Sequence, residues 1–224
     1  MLALGQGAIK QAYRIIPVHP ENRCLLGMRW DIQVFVDKAL PFGLRSAPLI
    51  FSAVADALQF MMIQKGATFV DHYVDDFITV GAPRSNECAN NAKIMHFTCE
   101  MAGTPVEEEK SEGPATTLPF LGIEIDSVAM ELRLPADKLA QLKLVLSQWH
   151  GKKACLKRDL LSIIGSLSHA SKVVKSGRAF TRRLIDLSKS VKRSHHHVRL
   201  SREARSDIEW WYPDLRRNGM EYPY

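Results

Sequence analysis

Phe69-Val70-Asp71-His72-Tyr73-Val74-Asp75-Asp76-Phe77-Ile78-Thr79-Val80-Gly81-Ala82 is the stretch around which the chain is organised. Two β-prone runs, Phe69 to Val74 and Phe77 to Val80, flank one acidic pair, so the spacing predicts a tight hairpin with Asp75 and Asp76 at its tip. Adjacent carboxylates on a rigid turn can grip a hard divalent cation through oxygen. Aspartate is also a favoured turn residue that keeps a tip hydrated. The surrounding motifs decide between the two readings.

Outward from the hairpin, the bulk properties narrow the class. A chain of 224 residues with 46% hydrophobic composition can bury one large core or two modest ones. Cys24, Cys88, Cys99 and Cys155 are widely spaced with no C-x-x-C pair, which argues against a zinc site or a disulfide framework and fits a reducing compartment. Ala47 to Ile63, the most apolar stretch, is interrupted by Ser52, Asp56 and Gln59 and reads as too polar to span a bilayer. Met1 to Lys10 has no signal-peptide pattern. The expectation is an intracellular protein, of cytoplasm or nucleus, with no membrane partner; oligomeric state is not legible. Charge is uneven: residues 1–134 carry 11 Lys/Arg against 16 Asp/Glu, a net −5, and residues 135–224 carry 19 against 8, a net +11. Such a basic block suits nucleic acid, an anionic membrane or a solvated helical surface.

Before the hairpin, Tyr13, Ile15 and Ile16 read as the end of a core strand and its turn, and residues 23 to 36 as a hairpin leading into a loop. Pro41 and Gly43 mark a sharp bend, and Pro48 fits the first turn of a helix with Ile50, Val54, Leu58 and Met61 on its buried face. After the hairpin, Ser85 and Gly103 bracket a helix whose inner stripe is Cys88, Ala92, Met95, Cys99 and Ala102, core rather than metal ligands. Glu107-Glu108-Glu109-Lys110 reads as a polar loop, and residues 118 to 134 as a second hairpin. This is an α+β layout, helices on one face of a mainly antiparallel sheet.

From Pro135 the period becomes helical. Three basic amphipathic helices are expected: 135 to about 150 with Leu139, Leu142, Leu146 and Trp149 inward; from Lys157 with Leu160, Ile163, Ile164 and Leu167 inward; and Arg178 to Val191 with Phe180, Leu184 and Leu187 inward. Arg182 and Arg183 lie on the outer face of the third, suited to a phosphate backbone. His195-His196-His197 reads as a linker, because consecutive side chains do not converge on one point. Residues 196–224, with a helix near Ser201 and Trp210-Trp211 docked on another element, read as an incomplete C-terminal segment.

Four motifs in order, Ala12-Tyr13-Arg14-Ile15-Ile16-Pro17, Leu40-Pro41-Phe42-Gly43-Leu44-Arg45-Ser46-Ala47-Pro48, Tyr73-Val74-Asp75-Asp76 and Phe120-Leu121-Gly122-Ile123-Glu124-Ile125-Asp126, resemble the palm motifs of reverse transcriptases. The class they most resemble is that of DIRS-like, tyrosine-recombinase retrotransposons. The resemblance implies a palm over 1–134, a helical thumb or connection over 135–195, primed RNA or DNA template and deoxynucleoside triphosphates as partners, and magnesium, or manganese in its place, as cofactor. In the family mechanism, two ions held about 4 Å apart activate the primer hydroxyl and neutralise the triphosphate.

Residue by residue, Asp75 and Asp76 match the paired metal ligands. Tyr13 matches the aromatic gate under the incoming sugar, Phe42 and Gly43 the nucleotide pocket, and Pro48 the approach to template. Lys110 matches a proposed acid for the leaving pyrophosphate, and Phe120, Leu121 and Gly122 the primer grip. Two departures bear on activity. Ala8 stands where the family has a third metal-binding aspartate, and the family's upstream fingers lobe has no counterpart in the sequence. The expectation is a chain inactive or nearly so in RNA-directed DNA synthesis; the alternatives are a non-catalytic nucleic-acid binder and a truncated reading frame.

Overall fold

In the computed structural model, which describes residues 1–214 and 220–221, the chain forms two compact units, Met1–Phe120 and Leu121–Tyr224. The division falls between Phe120 and Leu121.

The first unit is built on four antiparallel strands. β1 (Ala3–Ile9) precedes a 3-10 turn at Ala12–Ile15. The core strand therefore lies upstream of Tyr13 to Ile16, which form the turn after it rather than its end. A second 3-10 segment, Pro20–Leu26, leads to the expected hairpin, β2 (Gly27–Trp30) and β3 (Gln33–Val36). Helix α1 (Ala47–Gln64) follows, with proline in its first turn. Then come β4 (Val70–Tyr73), β5 (Asp76–Gly81), α2 (Glu87–Met101), β6 (Val106–Ala115) and β7 (Thr117–Phe120). The sheet order is β4-β5-β1-β6.

Alternation along β5 fixes the two faces of this sheet. Phe77, Thr79 and Gly81 are buried against the helices, while Asp76, Ile78 and Val80 point the other way. Helix α2 lies so close that a Cβ on Gly81 would sit 2.3 Å from the backbone N of Cys88. The core joins Phe51, Ala55, Leu58 and Met62 of α1 to Val70, Phe77, Met95 and Cys99. Each large apolar side chain fully buried there contributes about 1.5–3 kcal/mol.

Three expectations for this unit need correction. The buried stripe of α1 is Ala47, Phe51, Ala55, Leu58 and Met62; Ile50 and Met61 are exposed. Both stripes have helical spacing, and only the sheet beneath selects one. By length and composition α1 is also apolar enough to cross a membrane, despite Ser52, Asp56 and Gln59, although here its inner stripe fills the core. Residues Glu107 to Lys110 belong to β6, not to a loop. Their charge is accommodated because β6 is an edge strand, and its pairing with β1 slips between Gln6↔Glu112 and Ala8↔Glu107.

In α2, Asn86 is the N-cap, and Ser85 Oγ accepts from the Glu87 N–H at 3.3 Å. Its buried face includes Asn91 and Thr98, whereas Ala102 is exposed.

The second unit has β8 (Ile123–Asp126), β9 (Glu131–Arg133), α3 (Ala136–Ser147), β10 (Ala154–Leu156), α4 (Lys157–Ala170), α5 (Gly177–Ser188), β11 (His197–Arg199), α6 (Arg202–Asp214) and β12 (Met220–Glu221). β9 pairs antiparallel with both β8 and β12. Leu142, Leu146, Leu160, Ile163, Leu167, Leu184, Ile208 and Trp211 share one core. His197 is no linker residue: it starts β11, which pairs with β10 at Leu156↔His197. Helix α6 begins where Ser201 Oγ accepts the Ala204 N–H, and Trp210 stacks on Phe180 with centroids 3.9 Å apart. Val198, Leu200, Ala204, Ile208 and Trp211 thus pack into this core; residues 215–219 and 222–224 lie outside the described residues.

Candidate active site

Val74 and Asp75 form the two-residue turn between β4 and β5, and Asp76 is the first residue of β5, paired with Tyr73. The turn requires a positive φ, and Val74 supplies it at 58°. A β-branched residue held there costs about 1–3 kcal/mol. On its other side β5 pairs with β1, where Asp76 stands directly opposite Ala8 and the Ile9 N–H donates to the Asp75 carbonyl at 2.9 Å. Opposed residues of antiparallel strands share a face, with Cα atoms about 4.5–5.5 Å apart. Tyr73, Asp76 and Ala8 therefore form one row on the face turned away from α1 and α2.

Polar side chains brace this hairpin from behind. Asn91 Oδ1 accepts the Thr68 N–H at 3.0 Å, while its Nδ2 donates to Val80 O at 2.9 Å and Phe69 O at 3.3 Å. Gln59 Nε2 donates to Val70 O at 2.7 Å, and His72 Nε2 lies 3.1 Å from Asp56 Oδ1. Sequence reasoning missed Asn91, Gln59 and His72. A polar residue in a helical stripe or on an alternating strand looks like a solvent-facing position until its partners are known.

Electrostatics at the tip follow from burial first and from neighbouring charge second. Burial pushes the Asp76 carboxyl above its ordinary value, the neighbouring Asp75 charge adds to that, and the Lys110 ammonium opposes it. The Tyr13 phenol is raised in the same way, by burial first and then by Asp75 and Tyr73. Its ring meets Phe42 and Phe51 edge-on, with centroids 5.3 Å and 5.9 Å apart. The fold thus collects Tyr13, Phe42, Asp75, Asp76 and Lys110 into one neighbourhood. Gly43 has φ +86° with open space where a side chain would begin, and Pro48 lies exposed in the first turn of α1.

The remaining candidates are placed as follows. Phe120 ends β7, and Leu121 (φ 50°) and Gly122 (φ 74°) follow as two consecutive left-handed residues. A Cβ on Gly122 would lie 2.1 Å from Lys138 Nζ. Arg182 pairs with Asp186 at 3.1 Å, and Arg183 with the mostly buried Asp207 at 3.0 Å, so both guanidinium groups have internal partners. The Asp207 carboxyl is raised by burial, lowered by Arg183 and raised again by Glu203.

A divalent cation fits this donor set only in part. Burial first, and then the Asp75 charge, raise Asp76, and a cation between the two carboxylates would offset both. The third side of the tip, however, is the methyl of Ala8, which is 3% exposed and offers no donor. Among the described residues no group of three or more His, Cys, Asp or Glu side chains is arranged to hold a metal ion. The residues present therefore do not fit a two-ion centre.

Comparison with known proteins bears on family and fold. The family described as reverse transcriptase (RNA-dependent DNA polymerase) matches residues 8–125. No curated protein sequence shows significant similarity to the chain. Among solved structures, the foamy viral protease-reverse transcriptase dRH in complex with double-stranded DNA superposes with a TM-score of 0.72 at 18% identity, over 97% of this chain and 36% of that one. The foamy viral protease-reverse transcriptase in complex with an RNA/DNA hybrid gives 0.71 at 17%, over 97% and 27%. Its complex with double-stranded DNA gives 0.69 at 17%, over 99% and 43%. This chain thus spans less than half the length of those chains, and at such identity the likeness concerns the fold.

Proposed function

We infer the function from family membership: this chain belongs to the reverse transcriptase (RNA-dependent DNA polymerase) family. We propose that it is the palm and adjoining helical part of a retroelement polymerase of the DIRS-like class, acting inside the cell on a primed template and deoxynucleoside triphosphates, and that this chain by itself polymerises little or not at all. One observation carries the second half: the residue paired with Asp76 across β1 is Ala8.

In this reading Tyr13 and Phe42 bound the sugar of an incoming nucleotide. Gly43 leaves room beside them, and Pro48 faces the template. Lys110 stands ready to donate a proton, Leu121 and Gly122 turn the backbone toward the primer end, and Asp75 and Asp76 are the family's paired carboxylates. Support comes from the common neighbourhood of Tyr13, Phe42, the carboxylates and Lys110.

Extension of a labelled primer on an RNA template, with magnesium or manganese supplied, tests the proposal. Incorporation should fall on the order of a hundredfold or more below that of a reverse transcriptase with its full carboxylate set, the scale of losing one transition-state contact. Rapid full-length extension by this chain would overturn it. A second reading, nucleic-acid binding without catalysis, is favoured by one observation: residues 121–224 carry 20 Lys/Arg against 11 Asp/Glu. It requires salt-sensitive binding that survives removal of Asp75 and Asp76.

A further inference from the structure

Residues 152–159 and 189–202 are distant in sequence, and the pairing of β10 with β11 brings them together in the second unit. They hold nine Lys/Arg against one carboxylate, Asp159, a net +8 over 22 residues. The backbone beneath this charge is fixed. Cys155, Val198 and Leu200 are buried in the core, so His197 and Arg199 alternate to the outer face of the ribbon. The Leu200 N–H donates to Lys153 O at 2.9 Å, which places Lys153 beside Arg199.

The loop before β11 is pinned to the first turn of α4. The Lys157 N–H donates to His196 O and the Arg158 N–H to Ser194 O, both at 2.9 Å, and Lys157 Nζ donates to Val191 O at 2.6 Å. Two of the amides that open the helix are thereby occupied, so what this pole offers a ligand is side-chain charge. Several of its cations are engaged: Lys152 sits 4.8 Å from the Trp149 ring centroid, and Lys189 pairs with Asp186 at 3.3 Å. Lys153, Lys192, Arg193 and Arg199 are exposed and have no carboxylate partner among the described residues, and Arg158 has only the adjacent Asp159 at 3.6 Å. Arg182 and Arg183 of α5 differ in this respect, since both are paired internally.

The chemistry of the face selects its partner. Neither segment exposes a large apolar side chain, so the face lacks the anchors of a membrane-inserted surface and the apolar centre of a protein interface. Neither contains Trp, Tyr or Phe on which a base could stack. His197 and Arg199 stand about 6.6 Å apart on one face of β11, a step comparable to that between successive phosphates of a strand. We propose that Lys153, Arg158, Lys192, Arg193, His197 and Arg199 form a rim that binds the sugar–phosphate backbone of a nucleic acid, without reading bases and without needing a primer end. The proposal rests on the nucleic-acid-binding reading of residues 121–224 and gives that reading a location.

Fluorescence anisotropy of the whole chain with a short blunt-ended duplex, titrated between about 50 and 200 mM salt, tests it. Arg193→Glu with Arg199→Glu should weaken binding on the order of tenfold or more and reduce the log-affinity against log-salt slope by about 2. The neutral pair Arg193→Gln with Arg199→Gln, which spares the fold any new charge, should lower the slope in the same way with a smaller loss. Lys93→Glu with Lys143→Glu makes the same change in net charge elsewhere on the surface and should leave affinity within about twofold. Binding that survives both rim pairs would overturn the location while the binding reading stands; a wild type that does not bind would remove both. A control pair that loses as much as the rim pair, a strong preference between duplexes of different sequence, or a poly-glutamate peptide that competes as well as the duplex would also overturn the proposal, the last by assigning the face to an acidic protein segment.

Discussion

Aspartate in place of Ala8 would add a third carboxylate to the row that holds Asp76, at a position that is 3% exposed and opposite Glu107 on its other side. Without a cation, Ala8→Asp should destabilise the chain by about 2–4 kcal/mol, the cost of an unpaired buried charge. Manganese or magnesium should restore much of that loss, read as denaturation midpoints in chelator and in metal; equal midpoints in the two would count against the site. Asp76 gives a pH test. Its folded carboxyl titrates above the ordinary 3.8, so its stabilising contribution is complete below that value and is lost as pH rises through the folded one. Asp76→Asn should therefore flatten the stability profile just above 3.8 and be at least as stable as wild type at neutral pH, measured by urea denaturation. At this scale Tyr13, Phe42, Asp75 and Asp76 were legible because each sits in a motif. Asn91 was not, because its hydrogen-bonding partners, Thr68, Phe69 and Val80, are 11 or more residues away in sequence and leave no mark on local periodicity.

Helix α1 shows where legibility of elements ends. Its existence and its proline start follow from the sequence, but Ile50-Val54-Leu58-Met61 and Ala47-Phe51-Ala55-Leu58-Met62 are both apolar stripes at helical spacing. A helix apolar on so many sides cannot announce which side faces the sheet. Phe51→Ala should cost about 3–5 kcal/mol in chemical denaturation, whereas Ile50→Ala should cost about 1 kcal/mol or less. The reverse ranking would mean that the other stripe is buried. β6 was obscured for a different reason. Charge in Glu107 to Lys110 suggests a loop, yet an edge strand tolerates it, and the slipped pairing with β1 lies beyond what a single strand's pattern encodes.

Over the whole molecule, α+β architecture and the change of period after Leu134 were readable, while the place of the last helix was not. Trp211 is buried in a core with residues from about 142 onward, and local pattern cannot report contacts that distant. Charge tests the binding reading at this scale. Reversal at Arg183 would strand the mostly buried Asp207, so it confuses folding with binding. Arg178→Glu with Arg182→Glu, both on exposed positions of α5, should weaken binding to a primed duplex and lower the log-affinity against log-salt slope by about 1–2. An unchanged slope would remove α5 from the interface. Val74, finally, holds strain that stability does not require. Glycine or asparagine would hold the same left-handed turn with less strain, so selection for stability alone does not favour valine there. Strain at the hairpin tip is thus stability forgone beside Asp75, held in place by the pairing of β5 with β4 on one side and β1 on the other.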